Sequence, residues 1–369
     1  MHIFAEMWIL DWHRIFKYIL LISVSISKIM ADSDCSDFSI TEAEGIYLTK
    51  TQFASGELIF EDTFQTLDLN VWLREPTNQA HVNEFQLFTD SNDNSYVQDG
   101  NLHITPTFWN DTAETENMVL YMKGKKYLRD TFHPIRSARL STKESFSFTY
   151  GVVEFRAKVP LGDWLFPALW LMPKDSKYGS WPLSGEIDVM ESRGNRNLTD
   201  SSGNIVGVQS VSNTLHWGPS KALDTWRLTY FTEENLSYYS SDFHTYKLIW
   251  APESLSFYVD DKETGRISPP EGGFWELGNF SDDDVSNPWV DGTNSAPFDA
   301  QFYLIMNLAV GGTSFFSDSF TNEGGKPWSN SSPNATIEFW EGRNQWMPTW
   351  NLPSDGSHFL IDYVRVWAL

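Results

Sequence analysis

From residue 36 onward the chain has almost no long stretch in which apolar residues recur every three or four positions; instead they alternate with polar ones in short runs closed by Gly, Asn, Asp or Pro. "YGVVEFRAKVP" (150–160), "TYKLIWAPESLSFYVDD" (245–261) and "HFLIDYVRVWAL" (358–369) read as strands, and "QFYLIMNLAVGG" (301–312) as a buried strand ending at a Gly-Gly turn. Between them, 172–184, 196–212 and 262–300 read as loops. No internal repeat, low-complexity block or Pro/Ser linker divides the 369 residues. The pattern predicts one all-β domain, a sandwich of two antiparallel sheets with long loops.

One segment breaks the period. In "SGEIDVMESRG" (184–194), Glu186 and Asp188 lie two apart, on one face of a strand, but Glu191 follows three later and falls on the other. A β-bulge at Val189–Met190 would return Glu191 to the face of the first two, and bulges are frequent beside active sites. Four ladder positions of about 3.3 Å separate the outer Cα atoms by roughly 13 Å. With each carboxyl about 4 Å from its Cα and both leaning inward, the two come within roughly 5 Å, the spacing of a retaining rather than an inverting glycosidase. From spacing alone, a solvent-facing acidic strand would look the same. The setting argues otherwise: "WPLSG" and "DWLFPALW" lie close by, and flat rings are what the CH-rich faces of sugars stack upon.

Composition fits a neutral ligand. Net charge is −23, from 49 acids against 26 Lys and Arg, which disfavours nucleic acid and anionic membrane surfaces. The 17 Trp, 14 Tyr and 26 Phe exceed what a core of this size needs. The single cysteine, Cys35, builds neither a disulfide framework nor a thiolate metal site, and the eight histidines show no metal-ligand spacing. There is no G-x-S-x-G elbow, P-loop or dinucleotide fingerprint.

At the N-terminus, His13, Arg14 and Lys17 precede "YILLISVSI" (18–26), too short to span a bilayer but suited to the apolar region of a signal peptide. The long basic region leaves room for an internal start at Met7, and a retained amphipathic anchor is the alternative. Cleavage near Ser27 or Ala31 would follow. With six N-x-S/T sequons, at Asn110, Asn197, Asn235, Asn279, Asn330 and Asn334, this predicts a secreted glycoprotein. The expected organisation is a targeting segment at 1–31, an extension at 32–57 and the β domain at 58–369; the acidic surface favours a monomer.

"SGEIDVMESRGNR" resembles the catalytic signature of glycoside hydrolase family 16, in the bulged E-I-D-x-x-E form of its laminarinase-like β-1,3-glucanases. "NEFQLFTDSNDNSYVQDGNLHITP" (83–106), "RLSTKESFSFTYGVVEFRAKVPLGDW" (139–164), "TLHWGP" (214–219), "FHTYKLIWAPESLSFYVDD" (243–261), "PFDAQFYLIMNLAVGG" (297–312) and "IDYVRVW" (361–367) follow in the family's order. The resemblance covers roughly 58–369. It is strongest to the invertebrate branch holding both secreted β-1,3-glucanases and β-1,3-glucan recognition proteins. It implies a β-jelly-roll with a concave glycan-binding cleft, Glu186 as nucleophile, Glu191 as general acid/base and Asp188 between them, sharing a proton. His216 would lie near the nucleophile. Trp170, Trp181 and Trp217 would be stacking platforms, with at least one of the three expected in the core instead. Arg139 and Asn83 would contact sugar hydroxyls. Where relatives often carry a Trp, "FPALW" has Phe166, which still stacks but lacks the indole donor. No cofactor is required. Some relatives bind a structural calcium where the first and last strands meet, and Asp362 and "FEDTF" (60–64) are the residues placed to serve.

Two functions compete. One is a secreted retaining endo-β-1,3-glucanase acting on laminarin-like or fungal wall glucan; the other is a non-catalytic recognition protein of innate immunity binding the same polymer. Recognition proteins of this branch typically lack one or more of the acids and carry an extra N-terminal β-sandwich. Here all three acids are present, and only twenty to thirty residues precede the β domain after the targeting segment. Both features favour the enzyme, and an unrelated β-sandwich lectin would need every ordered motif to be coincidence.

Overall fold

The computed structural model describes residues 38–77, 83–109, 133–235, 237–280, 285–352 and 354–369. The targeting segment, Cys35 and the Asn110 sequon lie outside them. No helix among the described residues is long and apolar enough to cross a membrane.

The fold is an all-β jelly-roll built from twenty strands among the described residues. One sheet runs in the order β1 (Glu42–Gly45), β10 (Phe146–Thr149), β19 (Phe302–Val310), β12 (Leu165–Pro173), β13 (Glu186–Ser192), β14 (Ser210–His216) and β15 (Tyr230–Glu234). To it β9 (Arg139–Ser141) and β3 (Leu73–Arg74) add beside β19. The second runs β18 (Lys262–Ile267), β17 (Ser254–Val259), β16 (His244–Ala251), β11 (Gly151–Lys158), β20 (Phe359–Trp367), β6 (Asn101–Ile104) and β5 (Ser95–Gln98), with β2 (Leu58–Asp62) on β20. A small third sheet joins β4 (Gln86–Phe88), β8 (Ile135–Ser137) and β7 (Thr107–Phe108), and β4–β8 is its parallel pair.

The alternation in the sequence has its expected result. Every second residue of β11 is buried, from Gly151 to Ala157, while Val152, Glu154, Arg156 and Lys158 face outward. Trp250 of β16 crosses the core to meet Phe148 of β10 and Phe302 of β19 edge-on, with centroids 5.5 and 5.3 Å apart. By contrast, β19 is buried along its whole length, flanked by β10, β9 and β12.

Three expectations need correction. The 245–261 segment is two strands, β16 and β17, paired as a hairpin. The stretch 262–300 is not loop throughout: it contains β18 and a short helix, α1 (Gly273–Leu277). Residues 42–45, within the stretch read as an extension, pair with β10 and belong to the cleft-bearing sheet. The elements β1, β17, β18 and α1 are each four to six residues long, too short for a period to declare itself.

The residues considered for calcium each hold a protein partner. Asp362 is ion-paired with Arg156, and Glu61 with Arg365 at 2.8 Å. Asp62 accepts from the Trp72 indole at 2.7 Å and the Phe64 amide at 2.8 Å.

Candidate active site

The bulge falls where the acids require it. Along β14, Glu186, Asp188 and Glu191 face His216, Thr214 and Ser212, residues that alternate and so share one face. On β13 three residues are spent where β14 spends two, and the same extra residue interrupts pairing with β12 between Leu169 and Trp170. The Asn213 side-chain amide donates to the Val189 carbonyl at 2.6 Å and accepts from Thr264 Oγ1 at 2.6 Å, pinning the distortion. Just before it, Gly185 adopts a φ of 84°, and a Cβ there would lie 2.8 Å from the Phe298 ring. Only glycine lets the chain enter β13 at this point.

The three carboxyls open into a cleft of about 710 Å³. Their surroundings differ. Glu186 accepts the Trp181 indole N–H at 2.9 Å and lies 3.9 Å from His216 Nε2. Asp188 is buried; its Oδ2 has no hydrogen-bond partner and sits 3.6 Å from His216 Nε2. Glu191 has a long contact, 3.5 Å, from the Thr214 hydroxyl.

Burial raises all three pKa values. For Glu186 the rise is opposed by His216, the Trp181 hydrogen bond and Arg139. For Asp188 the charges of Glu186 and Glu191 add to burial, and its carboxyl is held well above the usual range. Glu191 is pushed up to about 7, burial outweighing the nearby His216 and Arg193 cations. His216 moves the other way from what burial alone would give. Its Nδ1 donates to Asp224 at 2.7 Å, and with Glu186 and Asp188 nearby its pKa rises to about 10. Among the described residues, Glu186, Asp188 and His216 are the one set of donor atoms close enough to share a metal ion. A doubly protonated imidazole has no lone pair to offer one.

The arrangement therefore supplies a carboxyl held by an indole and a cation, a carboxylic acid able to give and retake a proton near neutrality, and between them a carboxyl whose charged form both neighbours oppose. Aligned over 348 residues, the chain is 38% identical to a β-1,3-glucan-binding protein of Penaeus monodon, covering 85% of this chain and 90% of that one. The model for "Glycosyl hydrolases family 16" matches residues 99–273. The chain belongs to glycosyl hydrolase family 16.

A second relative, a β-1,3-glucan-binding protein of Galleria mellonella, is 33% identical over 85% of this chain; the chain spans 64% of it, under two thirds. Among solved structures, the laminarinase from Rhodothermus marinus matches with a TM-score of 0.55 at 25% identity, over 85% of this chain and 97% of that one.

The remaining predicted residues divide. Trp170 lines the cleft, its indole N–H held by Asn307 at 2.7 Å and the Arg139 guanidinium 4.6 Å over its ring. Arg139 also lines the cleft and is ion-paired with Glu75 at 2.9 Å. Trp181 stands beside Glu186 as its hydrogen-bond donor. Phe166 lines the cleft but is stacked under Phe315, with centroids 3.6 Å apart and planes at 9°.

Two predicted residues are not brought to the cleft. Trp217 is fully buried, donates to Thr229 at 3.0 Å and packs on Phe274 and Phe280; it is core, as expected for one of the three tryptophans. It follows His216, the last residue of β14, and a one-residue step turns a side chain to the opposite face. Asn83 is exposed in the left-handed backbone region, and its neighbour Glu84 lines the cleft in its place.

Sequence reasoning missed Asp224, Arg193, Trp226, Tyr230, Phe315 and Phe320. The aromatic-rich "TSFFSDSF" (313–320), directly after the Gly-Gly turn, was the available signal for the last two. Nothing in the spacing marked Asp224.

Proposed function

We propose that the chain is a secreted retaining endo-β-1,3-glucanase that cuts laminarin-like or fungal wall glucan. The observation that carries this reading is the environment of the three acids: one face, one cleft, and a pKa of about 7 on Glu191 beside a Glu186 held by Trp181 and His216. Glu186 attacks the anomeric carbon while Glu191 protonates the departing glycosidic oxygen. Glu191, now ionised, then takes a proton from water, whose oxygen attacks the same carbon and frees Glu186. Asp188, protonated between them, keeps their charges apart. Trp170, Trp226 and Tyr230 offer faces or edges to glucose rings. The structural likeness to the Rhodothermus marinus laminarinase supports the choice of substrate.

A second reading, binding of the same glucan without cleavage, is favoured by the names of the Penaeus monodon and Galleria mellonella relatives. Reducing-sugar release from laminarin by the secreted protein, with Glu186→Gln in parallel, separates the two. Release by the wild type alone supports the glucanase. Tight laminarin binding with no release by either protein supports the binder.

A further inference from the structure

We propose that Asp224 is a positioning residue, fixing His216 as an imidazolium aimed between Glu186 and Asp188. Asp224 is not on the acid-bearing strand; it closes the short 3₁₀ turn Lys221–Leu223 that follows β14. One of its oxygens accepts the His216 Nδ1–H at 2.7 Å, and the other accepts the Trp217 amide at 3.2 Å, so its orientation is fixed from two sides. The side chain is one-tenth exposed. With Nδ1 committed, Nε2–H points at the two acids, 3.6 Å from Asp188 Oδ2 and 3.9 Å from Glu186 Oε1.

The charges around this site explain the need for it. Facing His216 are Glu186 and Asp188 from β13 and Asp224 from the turn; Glu191 lies further along β13, with Arg193 beyond it. Arg139, from β9, lies opposite with its partner Glu75. Five carboxyls thus meet three cations when His216 is charged, and the site is neutral when two protons are bound. Asp188 and Glu191, the acids with no strong donor, take those two and leave Glu186 ionised. Glu84 and Arg227, also lining the cleft, offset each other. If His216 were neutral, a third proton would be favoured and Glu186 would be its recipient. Asp224 therefore acts on the nucleophile through the imidazole.

This rests on the glucanase reading for its catalytic part, but the contact is measurable without turnover. The test is Asp224→Asn, which keeps an oxygen for the Trp217 amide while removing the charge. One measurement is the ring titration of His216 by NMR, assigned with His216→Gln; the other is the pH profile of laminarin hydrolysis. In the wild type the His216 ring should stay charged through pH 8; in Asp224→Asn it should be neutral above pH 7. The acid limb of kcat/KM should move up by about one pH unit, which lowers kcat/KM about tenfold at pH values below both limbs, with KM within about twofold. A His216 ring already neutral at pH 7 in the wild type overturns the proposal, even if the variant does not fold. So does an Asp224→Asn protein with an unchanged titration and profile. If the ring behaves as expected but the wild type releases no sugar, the positioning contact stands and the glucanase reading fails.

Discussion

At the scale of single residues, chemistry and packing are separated by one position. Glu186 and Asp188 point into the cleft while Ile187, between them, is fully buried; His216 faces the acids while Trp217 is core. The acids were legible in the sequence because three carboxylates on one strand broke its period and so demanded a bulge. The fate of Trp217 was not, because it is decided by Phe274, Phe280 and Trp289, more than fifty residues away. Trp217→Ala should destabilise the fold by about 3–5 kcal/mol while the protein that remains folded binds laminarin normally; denaturant unfolding and equilibrium binding check the two halves. Glu191→Gln should lower kcat on laminarin by about 10²–10⁴-fold. In the wild type the basic limb of the kcat/KM profile should lie near pH 7, where Glu191 loses its proton, and activity should fall above it. A basic limb unmoved in the residual activity of Glu191→Gln would assign the limb to another group.

At the scale of elements, the bulge of β13 is a designed distortion with its own fastening. Asn213 sits opposite the extra residue and spends its amide on Val189 and its oxygen on Thr264. Asn213→Ala leaves a buried carbonyl and a hydroxyl without partners, at about 1–3 kcal/mol. It should also cost activity beyond the loss of stability, since the bulge sets where Glu191 points; kcat measured well below the melting temperature checks this. The long strands β11, β19 and β20 were readable from alternation or from a continuous apolar run. The small elements β1, β18 and α1 were not, because they hold their shape through neighbours rather than through a pattern of their own. The walls of the cleft were missed for a related reason: Trp226, Tyr230, Phe315 and Phe320 come from segments whose aromatics look like any others until the fold gathers them.

At the scale of the whole molecule, the site stands in tension with stability. Glu191 has a folded pKa above its unfolded value, so it favours the folded state below about pH 4.5, and that contribution is lost as pH rises through about 7. Asp188 acts in the same direction. Glu191→Gln, which cannot ionise, should therefore be more stable than the wild type at pH 8, by about 1–3 kcal/mol, and no more stable at pH 4.5; melting temperatures at the two pH values measure it. A wild type as stable as the variant at pH 8 would mean that the carboxylate finds compensation not seen around it. The acids come from β13, whereas the rings that line the cleft come from β4 and β12 and from the segments following β14 and β19. The acids and the rings are thus different side chains of one cleft. On the glucanase reading, one oxygen exchanged for an amide at residue 186 or 191 would turn a blade into a hand without refolding the chain, and a lineage could cross between the two trades in a single mutational step.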